Sequence, residues 1–143
     1  MKTLAALTML LIMFYFKQSR KDFPPKFNGL YQTECYLEKG DDEGNQDYLR
    51  FYADGKVIDV VTDCEGSVSE LKGWFKAGAE QVGIGEYKVV NNKIKFSTKS
   101  RTAIVDYTGM ITKDGFIILK SKSQTTGSKG RGTYRFIEMN DLN

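Results

Sequence analysis

The sequence contains no histidine. That absence removes the commonest general base and the commonest metal ligand. Its two cysteines, Cys35 and Cys64, are too few for a four-ligand zinc site. Without a histidine beside them they also make a poor nucleophile pair. The two prolines are adjacent, Pro24 and Pro25, so no proline interrupts the chain beyond them. No apolar run reaches the length of a standard membrane-spanning helix. Together these gaps leave no recognisable catalytic machinery and imply no cofactor. The expectation is a protein that is not an enzyme.

What remains is enough for one globular domain. The chain has 143 residues, of which 13% are aromatic and 27% charged. The net charge of +3 is unevenly placed. Residues 1–21 hold Lys2, Lys17, Arg20 and Lys21 and no acid, so the remainder carries +3 − 4 = −1. The basic balance belongs to the leader and gives no support to nucleic-acid binding.

Residues 3–16, "TLAALTMLLIMFYF", are apolar apart from two threonines. A helix of that length spans roughly 21 Å, short of the ~30 Å hydrocarbon core. The length suits a signal-peptide core. The bulky Met13, Phe14, Tyr15 and Phe16 stand where a small-residue cleavage site would be expected. Residues 1–21 therefore read as a signal peptide or an uncleaved signal anchor, an N-terminal hydrophobic helix contacting a membrane. The basic residues after the run favour cytoplasmic retention, and the short charged start favours export. Export is the expectation, membrane-anchored or secreted, into the periplasm or cell envelope if the source is bacterial. Residues 22–28 read as a linker, extended by its prolines.

From residue 27 onward the hydrophobic period is two. Strands are predicted near 29–37, 47–53, 56–63, 84–90, 93–99, 102–112, 116–123 and 132–139. In "YLRFYADGKVIDVV", a two-residue Asp54-Gly55 turn pairs Phe51 with Ile58 and Leu49 with Val60. In "GIGEYKVVNNKIKF", an Asn91-Asn92 turn pairs Val89 with Ile94 and Tyr87 with Phe96. In "YTGMITKDGFIIL", a three-residue Lys113-Asp114-Gly115 loop pairs Ile111 with Ile117 and Gly109 with Leu119. Three such hairpins make an antiparallel meander, which loses both exposed edges by closing. The alternation places Tyr31, Thr33, Cys35, Leu49, Phe51, Ile58, Val60, Tyr87, Ile94, Phe96, Tyr107, Ile117, Leu119, Tyr134 and Phe136 among the inward residues. Glu34, Glu86 and Asp106 fall outward, so no carboxylate pair meets at one site. Between strands three and four, Ser67 and Glu70 fit a capping box, with Val68, Leu71, Trp74 and Phe75 following at helical spacing. This predicts a short helix laid across one end of the sheet. Trp74 reads as a packing aromatic there, or as one that stacks on a ligand.

"GLY" at 29–31 resembles the G-x-W signature that opens the first strand of lipocalin-type barrels, with Tyr31 in place of tryptophan. Eight antiparallel strands, one short helix and a closing "GTYRF" at 132–136 are also similar to small bacterial lipocalin-like domains. The resemblance covers residues 27–139. It implies an all-β, eight-stranded up-and-down barrel over 29–143 whose interior holds a small apolar molecule. It also implies that a basic residue near the C-terminus, Arg135 or Arg131, packs over Tyr31. The interior aromatics Tyr31, Phe51, Tyr87, Phe96, Tyr107 and Tyr134, with Trp74, are the candidate ligand contacts. The same bulk is also enough to fill an eight-stranded barrel outright.

Cys35 and Cys64 invite a disulfide in an exported domain. Flat strands one and three lie roughly 10 Å apart, beyond bridging distance, unless Cys64 sits past its strand and the chain folds back. Bonded and free states both stay open. "EKGDDEGNQD" at 38–47 lacks calcium-loop spacing and reads as a solvated loop. "KSKSQTTGSKGRG" at 120–132 lacks phosphate-loop order and reads as a flexible hairpin loop, or as a contact for an anionic head group. Two functions follow: a module binding a small apolar ligand, or a filled barrel engaging an unidentified envelope protein.

Overall fold

The computed structural model describes residues 23–64, 66–75 and 82–142. The expected N-terminal hydrophobic helix lies outside the described residues. Eight strands are present among the described residues: β1 (Gly29–Gln32), β2 (Asn45–Phe51), β3 (Lys56–Asp63), β4 (Gly83–Val90), β5 (Lys93–Lys99), β6 (Ile104–Ile111), β7 (Ile117–Ser123) and β8 (Lys129–Glu138). One helix, α1 (Val68–Trp74), lies between β3 and β4. Every strand pairs antiparallel with its sequence neighbour, and β8 pairs with β1 to close the barrel. This up-and-down connectivity is consistent with a lipocalin-like fold.

Alternation of odd and even strands gives the barrel two unlike ends. One end carries the three tight hairpins β2–β3, β4–β5 and β6–β7 and both chain ends of the domain. Within the segment read as a linker, residues 23–28 are tied to this end. Pro25 is buried, the Phe23 amide donates to the Asn91 carbonyl, and the Lys26 amide donates to the Tyr31 hydroxyl at 2.9 Å. The opposite end carries the loops at 33–44, 100–103 and 124–128 and the longer β3–β4 connection. It is the open end.

Two of the predicted hairpins have the predicted register. Val89 faces Ile94 and Tyr87 faces Phe96 across a turn in which Asn91 takes φ 58°. Ile111 faces Ile117 and Gly109 faces Leu119, with Gly115 at φ 85°. The β2–β3 hairpin differs. Phe51 pairs with Val57, Arg50 with Ile58, and Tyr48 with Val60. The loop is three residues long, Ala53-Asp54-Gly55: the Gly55 amide donates to the Tyr52 carbonyl, and Gly55 takes φ 94°. A two-residue turn would have shifted β3 by one residue. Because side chains alternate, that one residue moves Ile58 and Val60 from inside to outside and brings Val57 and Asp59 in.

Two apolar clusters result. The inner one is built from Tyr31, Leu49, Phe51, Val57, Ile94, Phe96, Tyr107, Ile111, Ile117, Leu119 and Tyr134. Its rings meet edge to face, Phe51 on Tyr31, Tyr87 and Phe96, while Phe96 stacks on Tyr107 with centroids 4.7 Å apart. The outer cluster holds Leu30, Tyr48, Ile58 and Val60 on the outer wall, with Leu71, Phe75 and Val82 packed over them. So α1 covers the outer wall of β1–β3 rather than one end of the sheet. Its start matches the predicted capping box: Glu70 accepts from the Ser67 amide, and the Ser67 hydroxyl accepts from the Glu70 amide.

β1 stops at Gln32, five residues before its predicted end. The chain then folds back, so that Tyr36 bridges to Asn45, and Cys64 sits just past β3. Those two displacements bring Cys35 and Cys64 to a Cα separation of 5.5 Å, and they are bonded. Cys35 is exposed, not inward as expected. Gly44, at φ 74°, lies against the bridge: a Cβ there would meet the sulfurs at 2.9 and 3.0 Å. The 120–132 run is also more ordered than a flexible loop, because most of it belongs to β7 and β8 around a short turn with Gly127 at φ 75°.

The register is testable by charge insertion. Val57 is fully buried and Val61 is 57% exposed. Val57→Asp should abolish cooperative unfolding, while Val61→Asp should shift stability by no more than about 0.5 kcal/mol in urea titrations. A mild effect at Val57 as well would restore the two-residue turn, which puts Val57 outside the barrel. Breaking the bridge with Cys35→Ser and Cys64→Ser together opens a loop with a sequence separation of 29. It should cost about 3–4 kcal/mol by chain entropy, read from the same titrations.

Candidate functional site

The interior is apolar at its closed end and polar at its open end. Leu49 and Phe51 face inward on β2, so Asp47 also faces inward two residues earlier. Val57 faces inward on β3, so Asp59 follows it. Two carboxylates therefore enter the barrel. Asp59 accepts hydrogen bonds on one oxygen, Oδ2, from the Tyr107 hydroxyl at 2.6 Å and the Thr98 hydroxyl at 3.1 Å. Asp59 sits opposite Gly83 in the ladder. A Cβ at Gly83 would meet Thr98 at 3.0 Å, so the missing side chain leaves room for the Asp59–Thr98 pair. Asp47 accepts from Tyr36 at 2.9 Å and from Tyr134 at 3.5 Å. The backbone beside it is held by Thr33, whose hydroxyl accepts from the Asp47 amide at 3.0 Å.

Removal from water dominates the electrostatics of this cluster. Burial pushes the Asp59 carboxyl up to about 6, against hydrogen bonds from Tyr107 and Thr98 that favour its ionised form; the Asp47 charge adds to the rise. Asp47 is raised for the same first reason, opposed by Tyr36 and Tyr134. Burial, then the neighbouring carboxylates, hold the Tyr107 and Tyr134 hydroxyls well above their ordinary range. Those phenols are donors to the aspartates.

A cleft of about 1040 Å³ opens here, running from the mouth along β8. Asp47, Tyr36, Tyr107, Tyr134, Thr33, Leu119 and Ser121 are among its lining residues. Glycines at 130 and 132 keep the β8 side of the cleft free of bulk.

The predicted contact residues divide into three groups. Tyr107 and Tyr134 line the cleft. Tyr31, Phe51 and Phe96 lie in the buried inner cluster, and Tyr87 packs against it with its hydroxyl donated to the Tyr52 carbonyl at 2.8 Å. Trp74 is outside the barrel altogether, packed against the outer cluster. Arg131 and Arg135 are exposed, and neither covers Tyr31. At the barrel's closed end the Lys26 Nζ lies 4.9 Å from the Phe136 ring centre. Glu34 and Glu86 are exposed, and Asp106 bonds Ser97 and Gln124 on the outer wall.

Asp47 and Asp59 were not among the predicted residues. Asp47 closes an acidic run whose other members are mostly exposed, and Asp59 was hidden by the register of β2–β3. One signal was available. Ala53-Asp54-Gly55 repeats the x-Asp-Gly pattern of Lys113-Asp114-Gly115, which forms the same three-residue turn. No protein-family model and no curated protein sequence matches this chain.

The Asp59 shift carries a pH prediction. An unfolded Asp releases its proton near pH 4, whereas the folded one holds it to about 6. Between those values the folded state binds more protons, so this group lowers stability as pH rises. Urea unfolding of Asp59→Asn should gain on the parent protein by on the order of 2 kcal/mol between about pH 4.5 and about pH 7. An unchanged gap would mean that Asp59 titrates at an ordinary value.

Proposed function

We propose that this chain is a non-enzymatic binding module of lipocalin-like type, exported and either membrane-anchored or secreted, that takes up a small ligand at the open end of its barrel. The observation that carries the reading is the cleft of about 1040 Å³ at that end. Ligand pockets generally occupy roughly 300–1,000 Å³ and combine an apolar lining with a few placed polar groups. Here Leu119 and the Tyr107 ring offer the apolar part, and Asp47 with its tyrosines offers the polar part. A fitting ligand has an apolar body and at least one hydrogen-bond donor. The closed eight-stranded connectivity and the "GLY" opening of β1 support the family part of the proposal. The Cys35–Cys64 bridge supports export to an oxidising compartment.

A second reading, a filled barrel engaging an envelope protein, is favoured by the closed half. There the Tyr31–Phe51–Phe96 aromatics occupy the lumen.

Native mass spectrometry of the purified protein separates the two. The binding reading expects a non-covalent adduct on the parent protein. Ser121→Trp, which places a bulky ring in the cleft, should lose the adduct while keeping the β-sheet circular dichroism. A bare parent mass, together with no binding of an apolar amine dye that the tryptophan variant also lacks, would leave the filled-barrel reading.

A further inference from the structure

The wall from β4 to β8 carries its outward side chains in rows that the register defines. One row runs Lys88, Lys95, Thr108, Lys120 and Arg131, each paired with the next across one strand boundary. All are exposed, and none is acidic. The next row toward the closed end runs Val90, Lys93, Met110, Ile118 and Thr133. Val90 is 62% exposed and Met110 43%, and Phe116, two residues before Ile118, is 37% exposed. On the other side the row is mixed, Glu86, Ser97, Asp106, Lys122 and Lys129. Acids at the closed end, Asp54, Asp114, Glu138 and Asp141 among them, lie outside both rows. A cationic row against a row that carries exposed Val90 and Met110 beside Lys93 is the pattern of a surface that meets lipid head groups and the acyl boundary together. A nucleic acid would use the first row and leave the second without a partner.

The path of the chain agrees. The Phe23 amide is bonded to the Asn91 carbonyl at the tip of the β4–β5 hairpin, beside Val90. Phe23 and Phe27 add exposed rings at 36% and 38%. The apolar run at 3–16 ends only seven residues earlier. Fully extended, that leash reaches about 25 Å.

We infer that the β4–β8 wall rests on an anionic bilayer surface, its basic row on the head groups and its apolar row in the interface. The leash rests on the anchor reading of residues 3–16; the surface chemistry stands without it, and neither part needs a ligand in the cleft. Docked this way, the barrel lies on its side and the β1–β3 wall faces away from the membrane.

The test is lysine footprinting by mass spectrometry on the full chain, mixed with vesicles of pure phosphatidylcholine or of phosphatidylcholine with phosphatidylglycerol, and separated by flotation. On the anionic vesicles, acylation of Lys88, Lys95 and Lys120 should fall at least about threefold relative to the neutral ones. Lys39, in the loop between β1 and β2, should label equally on both. Lys88→Glu with Lys95→Glu should erase the protection of Lys120. Flotation with both vesicles and even labelling throughout overturns the docking and leaves the anchor standing. Flotation with anionic vesicles alone, with the lysines protected, supports docking and removes the anchor. Flotation with neither overturns both. Equal protection by a random RNA oligonucleotide overturns the choice of lipid.

Discussion

The register between β2 and β3 decides more of this molecule than any other single feature. It is set by the Ala53-Asp54-Gly55 turn, which needs a residue at positive φ and has glycine there. With that turn, Val57 and Asp59 enter the barrel while Ile58 and Val60 leave it. Everything on both sides of the wall follows. Inside, a carboxylate must be satisfied, and Tyr107 and Thr98 satisfy it. Outside, two branched aliphatic residues must be covered, and α1 covers them with Leu71 and Phe75. The helix is there because the outer wall of β1–β3 is apolar.

The barrel is thereby divided along its axis. At the closed end, aromatic rings fill the lumen, Pro25 lies across it, and each inward hydroxyl reaches a backbone partner: Tyr31 accepts from Lys26 and Tyr87 donates to Tyr52. At the open end the lining turns polar, and the β1–β2 and β3–β4 connections there are the long ones. The Cys35–Cys64 bridge ties the first of those loops to the end of β3, and Gly44 leaves it room. Asp47 and Tyr36, held to each other at 2.9 Å, flank that tie, so the mouth's polar groups sit on covalently restrained backbone. A rigid rim of this kind reduces the ordering cost of holding a ligand.

Legibility varied with the kind of information each stretch carried. "VVNNKIKF" allows one sensible turn, so its register could be read directly, and Tyr87 and Phe96 fell where alternation put them. "YLRFYADGKVIDVV" allows two, because both parities of β3 hold two aliphatics. Ile58 and Val60 suit the lumen by their chemistry, but the register puts them under α1 on the outer wall. Trp74 was legible as helical from the capping box but not as to its side of the wall. Tyr107 and Tyr134 were legible as inward, yet the aspartates they serve were not. The disulfide needed β1 to end early, which no pattern in "YQTECYL" announces.

The sequence by itself determined the strand count, most of the turns, the antiparallel order and the short helix's start. These are local properties: period-two alternation, glycine and asparagine at turns, and a capping box act between residues close in the chain. Tertiary structure alone decided that Asp47 and Asp59 share an interior, that Cys64 reaches Cys35, and that Lys88, Lys95, Lys120 and Arg131 align in one row. Each depends on where distant strands meet. Side-chain facing alternates with every residue, so the single step of register taken at Ala53-Asp54-Gly55 reverses it, and barrel closure then decides which distant side chains meet.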